Sequence, residues 1–445
     1  MKKILFASLA LLCGLSAIAQ KQQKLVITPL VGDKIEYNLY DVQKMEIVEK
    51  DVEPSPGRPY ELNPVLRQGA LFRTTITEKL RILNLSFYQY TFEYTSVGPD
   101  LKTPVRLTGV ISMNPAVYKR EVAPTHVMLY NEYTTSKHFE RTSQNELDDI
   151  GMFLSKYNNC IAISADLYGW TLTEDKPQAY SCSKITAQET IDCYDAALEV
   201  LKQIKFDVTG LPIYNIGYSS GALGAMAVQK FVDEKRPDIE FAGTFVGGGN
   251  FDLEAIYKDY LETDTTGYVC ALPLMLVAYK ETFNLPFDYS DIFKEPLASH
   301  IDEWILSKDY GTWDINGLIG AEKHVSELLT PAACDLNSEF AQMIIEKFRD
   351  NSVCGPSQTW QPSKKTKFFV YHSTGDLYIT YKVGVEMADY LKEKGCDVTT
   401  MFEAHGNHVT YGLFAFIVKA QFLMNGTNLE LPEDLSELDD YKFEY

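Results

Sequence analysis

The segment Gly217-Tyr218-Ser219-Ser220-Gly221 constrains this chain more than any other. It lies between a short apolar run, Ile213 to Ile216, and a stretch from Ala222 to Phe231 rich in Ala, Met and Leu. That order predicts a strand, a sharp turn and a helix. A serine on so sharp a turn is held in a strained backbone conformation. A side chain at Gly217 or Gly221 would collide with the neighbouring strand and helix, which accounts for both glycines. The turn also sets the Ser220 N–H at a helix N-terminus, where unpaired donors and the helix dipole favour developing negative charge. Ser219 is therefore the candidate nucleophile, and Ser220 N–H one half of a candidate oxyanion hole. The five-residue pattern alone is short enough to arise by chance, so its surroundings decide.

The chain has 445 residues, 45% hydrophobic and 23% charged, which is ordinary for a globular protein with ample core. Lys2 and Lys3 precede an apolar run, Ile4 to Leu15, followed by Ser16-Ala17-Ile18-Ala19-Gln20. This pattern predicts a secretory signal peptide over 1–19, cleaved after Ala19, and export to the periplasm or beyond the cell. Leu12 stands before Cys13 where a lipoprotein needs a small residue, so lipidation is not expected. No later segment has the apolar length of a membrane span. Beyond 1–19 lie seven cysteines, an odd number whose spacing assigns no disulfides. A formal net charge of −20 argues against nucleic acid or an anionic membrane surface as partner. Oligomeric state is not legible.

Short alternating strands over 24–49, at Leu25, Ile35 and Met45, predict a small separate β unit, and Pro54, Pro56, Gly57, Pro59 and Pro64 mark a linker after it. A helix is expected around Glu78, then an antiparallel pair, Tyr88 to Ser96 and Val105 to Met113, joined through Gly98-Pro99-Asp100. A strand from His126 to Tyr130 and a helix over Leu147 to Tyr157 come next. The pattern then alternates: strand Cys160 to Ser164, helix Ala187 to Ile204, the strand and helix around Ser219, and strand Phe241 to Val246. It resumes with strand Phe368 to Tyr371, helix Tyr381 to Lys394, strand Val398 to Phe402 and helix Tyr411 to Leu423. Such alternation predicts an α/β fold with a mostly parallel sheet covered on both faces. One long interval breaks it. Between Gly248 and Phe368 the patterns are helical (Leu253 to Tyr260, Leu272 to Glu281, Ile301 to Leu306, Glu339 to Phe348), as in a lid. Its Tyr257, Tyr268, Leu274, Met275, Tyr279 and Phe283 either line an apolar pocket or form the insertion's own core, and the core is preferred for most.

A serine nucleophile needs a base within hydrogen-bond reach, and the base needs an acceptor. Asp376 follows the strand after the insertion and His408 follows the last strand, both at the sheet edge that carries Ser219. Asp376 is the candidate acid, with Asp252 as runner-up. His408 is the candidate base, because Gly406-Asn407 lets the loop turn just before the final helix, with His405 as runner-up. No Cys or carboxylate clusters with the two histidines at ligand spacing, so neither a metal nor another cofactor is expected.

These motifs resemble the α/β-hydrolase superfamily, and more narrowly bacterial relatives of secretory lipases with a large helical cap. The resemblance runs from about Tyr88 to Asn425. It rests on Gly-Tyr-Ser-Ser-Gly at 217–221, His-Ser-Thr-Gly-Asp at 372–376, Gly-Asn-His at 406–408, and Ala165-Asp-Leu-Tyr-Gly-Trp170 with Pro177-Gln-Ala-Tyr180. The order Ser219, Asp376, His408 matches the order this fold uses. It implies an eight-stranded, mostly parallel sheet with helices on both faces. The expected organisation is signal peptide 1–19, small β module 20–50, linker 51–64, hydrolase core 65–249 and 365–427, cap 250–364, and acidic tail 428–445. After the third strand the family often has His-Gly for the second oxyanion donor, whereas this chain has Asn131-Glu132-Tyr133-Thr134-Thr135. The second donor falls to the Tyr133 or Thr134 N–H. The expected activity is an esterase-like or lipase-like serine hydrolase acting on a small-molecule or acylated substrate. Alternatives are a peptidase or amidase of the prolyl-oligopeptidase type, and a catalytically silent binding protein that keeps the fold.

Overall fold

The computed structural model describes residues 24–27, 35–38, 71–80, 86–144, 158–264, 268–320, 324–403 and 406–426, divided between two units. In the first unit, β1 (Lys24–Ile27) and β2 (Ile35–Asn38) form an antiparallel pair. The third strand expected near Met45, the signal peptide, the linker 51–64, the helix over 147–157 and the tail 428–445 lie outside the described residues.

The second unit holds one sheet of nine strands: β3 (Leu71–Leu80), β4 (Ser86–Val97), β5 (Pro104–Met113), β6 (His126–Asn131), β7 (Cys160–Asp166), β8 (Ile213–Tyr218), β9 (Phe241–Gly247), β10 (Lys367–Ser373) and β11 (Asp397–Glu403). Their order is β11-β10-β9-β8-β6-β7-β5-β4-β3. From β11 to β7 every pairing is parallel, and β7-β5, β5-β4 and β4-β3 are antiparallel. The antiparallel opening and parallel continuation follow the sequence pattern, with one correction. The helix expected around Glu78 is instead β3, paired with β4 from Leu71 opposite Tyr94 to Leu80 opposite Ser86, and it raises the strand count from eight to nine. Its Thr74-Thr75-Ile76-Thr77 centre is β-branched, which disfavours a helix and suits a pleated surface.

The parallel strands are buried on both faces, so alternate residues enter two cores. On β6, Val127 and Leu129 join the larger core, while Met128 and Tyr130 face the other way. The larger core takes the helices α1 (Ser183–Gln203) and α2 (Ser220–Lys235), which supply Ile191, Ala197, Met226 and Val228. The smaller core packs Ile216, Tyr218, Phe245, Phe369 and Tyr371 against Phe416 of the final helix.

Between β9 and β10 the chain is helical, including α3 (Leu253–Thr263), α4 (Ala271–Phe283), α5 (Thr312–Ile319) and α6 (Glu339–Asn351). Side-chain caps start two of them: Asp252 accepts from Ala255 N–H at 3.0 Å and Ser338 from Ala341 N–H at 3.1 Å. Tyr257, Leu274, Met275 and Tyr279 are buried in the larger core, as preferred for these residues. Beyond β10 come α7 (Tyr381–Glu393), β11, a π-helical turn His408–Gly412 and α8 (Leu413–Met424). Among the described residues, the seven cysteines are all free thiols and no helix is long and apolar enough to cross a membrane. Cys160 sits on β7 as a small apolar side chain, its thiol pushed up to about 12 by burial.

Candidate active site

Ser219 stands between β8 and α2 with φ +56° and ψ −128°, a backbone region that costs a non-glycine residue on the order of 1–3 kcal/mol. The surroundings hold it there. Its N–H donates to Gly247 O at 2.9 Å, and its carbonyl accepts from Ala222 N–H at 2.9 Å. The two flanking glycines are required by contact: a Cβ on Gly217 would lie 2.0 Å from Gly221 O, and one on Gly221 would lie 2.2 Å from Asn131 O. Ser220 opens α2, so its N–H has no acceptor within the helix.

His408 Nε2 is 2.9 Å from Ser219 Oγ, and His408 Nδ1 is 2.6 Å from Asp376 Oδ2. Asp376 and His408 are both buried. Three residues far apart in sequence thus meet at the carboxyl edge of the sheet, after β8, β10 and β11. The Asp376 carboxylate is held on every side. Oδ1 accepts from the Tyr378 and Ile379 N–H groups at 2.8 and 3.0 Å, and Oδ2 accepts from His408 and, at 3.2 Å, from His372 Nε2. Burial alone would push this carboxyl up, but the His408 charge and the hydrogen bonds from His372 and His408 outweigh it and hold the carboxyl well below its ordinary range. The histidine backbone is fixed separately, because Tyr218 OH donates to His408 O at 2.7 Å and the Tyr218 ring lies between His408 and Phe416. Burial, with Asp376 and Tyr371 nearby, raises the Tyr218 hydroxyl well above its ordinary value, so it remains a donor.

The runner-up acid is employed elsewhere. Asp252 caps α3, and burial raises its carboxyl. The runner-up base His405 lies outside the described residues.

The loop after β6 leans on the same turn. Thr134 Oγ1 donates to Ser220 Oγ at 3.2 Å and pairs with Tyr180 OH at 2.9 Å, and the carbonyls of Asn131 and Glu132 face Gly221. This brings the Tyr133-Thr134 segment beside the start of α2. No glycine is needed in the loop, because Gly221 supplies the room on the opposite side. Glu132 turns inward to Arg141 and Thr142. Behind it lie three more buried carboxyls, each raised chiefly by burial: Asp166 to about 7, Glu189 to about 8 and Asp192 to about 7.

Sequence reasoning did not assign a part to Tyr218 or His372, nor to a run of rings that leads outward from His408. The Tyr378 ring is 5.3 Å from His408, Tyr268 stacks on Tyr378 at 4.7 Å, and Trp313 of α5, 52% exposed, meets Tyr268 edge-on at 5.4 Å. Only the folded interval between β9 and β10 brings Tyr268 and Trp313 to Tyr378. His372 lies four residues before Asp376, within the quoted motif, and that proximity was the available signal.

No family model matches the chain, and no curated protein sequence matches it. Solved structures do. LipA, the rice cell wall degrading esterase of Xanthomonas oryzae, superposes with a TM-score of 0.67 at 17% identity, over 80% of this chain and 96% of that one. Lipase A of Candida antarctica superposes with a TM-score of 0.58 at 12% identity, over 83% of this chain and 84% of that one. A mostly parallel sheet, a strained serine between a strand and a helix, and these superpositions lead to one conclusion: this chain has the α/β-hydrolase fold.

Proposed function

We propose that this protein is an exported serine hydrolase that cleaves carboxylic esters through an acyl-enzyme. The supporting observation is the continuous hydrogen-bond relay from Ser219 Oγ through both nitrogens of His408 to Asp376. Ser219 Oγ attacks the ester carbonyl as its proton passes to His408 Nε2. The oxyanion faces Ser220 N–H and the Tyr133 or Thr134 N–H. Collapse expels the alkoxide, which takes the proton from His408, and leaves the acyl group on Ser219. Water, deprotonated by His408, then attacks the acyl carbonyl. The acid is released and Ser219 is protonated again. Asp376 holds His408 in the tautomer with hydrogen on Nδ1 and stabilises the imidazolium. The chemistry calls for no cofactor.

The ring sequence Tyr378, Tyr268, Trp313 favours an apolar group on the substrate, and the helical segment 250–364 would act as the cap above it. Export rests on the signal-peptide pattern of 1–19. Purified mature protein should therefore turn over short-chain and long-chain acyl esters with kcat/KM at least ~10²-fold above that for an aminoacyl amide. The reverse preference would favour the peptidase alternative, and no turnover of either would favour a silent binding protein.

A further inference from the structure

Two histidines share one oxygen of the acid. His372 Nε2 lies 3.2 Å from Asp376 Oδ2 and 3.0 Å from Ile379 O. A carbonyl can only accept, so Nε2 carries the hydrogen and divides it between the two oxygens. His372 is completely buried, and its Nδ1 has no partner. The fold makes room for this ring at a cost: a Cβ on Gly384, inside α7, would lie 2.6 Å from His372 Nδ1, and glycine weakens a helix interior relative to alanine. His372 also closes the turn around the acid. Ile379 donates its N–H to Asp376 Oδ1 and offers its carbonyl to His372.

We propose that His372 is a positioning residue that lowers the basicity of His408 by donating to the oxygen on which His408 depends. This rests on the serine-hydrolase assignment. A hydrogen bond that draws charge from Oδ2 weakens the attraction between that oxygen and a protonated His408. Among the described residues, the titratable and hydroxyl groups found against His408 are Ser219 at Nε2, Asp376 at Nδ1, Tyr218 at its carbonyl and the Tyr378 ring, with His372 one atom further. Tyr218 stays protonated, and His372 acts on the base through the Asp376 oxygen they share.

The pH profile of kcat/KM on an acyl ester, in wild type, His372→Leu and His372→Gln, tests the proposal. Loss of the donor in His372→Leu should move the acidic limb to higher pH by about half a unit or more. His372→Gln, which keeps a donor at similar reach, should restore most of that shift. An active wild type whose acidic limb coincides with that of His372→Leu overturns the proposal, even if kcat falls. Imidazole ¹⁵N shifts of the wild type test it without a variant, which matters if His372→Leu does not fold. They should show hydrogen on His372 Nε2 and none on Nδ1, and the opposite tautomer overturns the proposal. A wild type that turns over no ester defeats the hydrolase assignment instead, while the ¹⁵N shifts still report on the bond between His372 and Asp376.

Discussion

Asp376→Asn should lower kcat on an ester substrate by about 10⁴ while leaving the fold in place. The reason lies in the four donors around this carboxylate. Two backbone N–H groups, from Tyr378 and Ile379, require an acceptor at Oδ1, so the asparagine oxygen takes that place and its NH₂ takes the place of Oδ2. That NH₂ then faces His408 Nδ1 and His372 Nε2. Donor meets donor. His408 escapes the conflict by moving its hydrogen to Nε2, where it can only donate to Ser219 Oγ, and the base is lost. A buried mismatch of this kind also costs about 1–3 kcal/mol of stability. The measurement is kcat and thermal midpoint side by side. A folded variant that loses less than tenfold in kcat would remove Asp376 from the proposed relay.

The second large effect is on stability and has a definite sign. Asp166, Glu189 and Asp192 titrate in the folded protein near 7, 8 and 7, against about 4 in an unfolded chain. Between those values the folded protein binds more protons than the unfolded one, so stability falls as pH rises through the folded values. Each such group contributes up to ~1.4 kcal/mol per pH unit, less where the buried site relaxes or admits water. Two buried groups are among those that act the other way at lower pH. His126, lowered to about 4 by burial, costs stability as pH falls from its ordinary 6.5, and Asp376, also held low, costs stability in more acidic solution. Above pH 6.5 those acidic terms are absent, and against the buried Lys230 and Lys308, which burial lowers, the three carboxyls should still bring the thermal midpoint down by about 2–4 °C between pH 6.5 and 8.5 at constant ionic strength. A midpoint that stays flat or rises over that window would contradict this assignment of the buried carboxyls. Glu189→Gln should flatten the slope.

Much of the site was legible because its parts are local. The strained turn at Ser219 needs Gly217 and Gly221 in fixed places, and an apolar strand and a helix-forming stretch flank it in any frame. The placement of Asp376 and His408 beside one another was legible from chain order, each following a strand whose apolar run stands clear of its neighbours. The leading strand was misread for an equally local reason: Glu78-Lys79-Leu80 has helical composition, and the Thr-rich residues before it decide the matter only when β4 is there to pair with. Tyr218 and Trp313 were not assigned because their parts depend on contacts between elements distant in sequence, and His372 because its contact depends on the path of the turn that follows it. A histidine at the end of a buried strand reads as core, and only the turn through Ile379 sets it against Asp376. The loop after β6 showed no glycine, and its close approach to α2 became intelligible only once Gly221 was found opposite its carbonyls.

The most direct test of the central claim is covalent labelling by a broad fluorophosphonate, with the adduct located by peptide mass spectrometry in wild type and Ser219→Ala. One adduct on the peptide that carries Ser219, absent from a folded Ser219→Ala protein, is the predicted result. An adduct at another residue, or none on a wild type that is folded and free of inhibitor, would contradict a nucleophilic Ser219 and with it the hydrolase account.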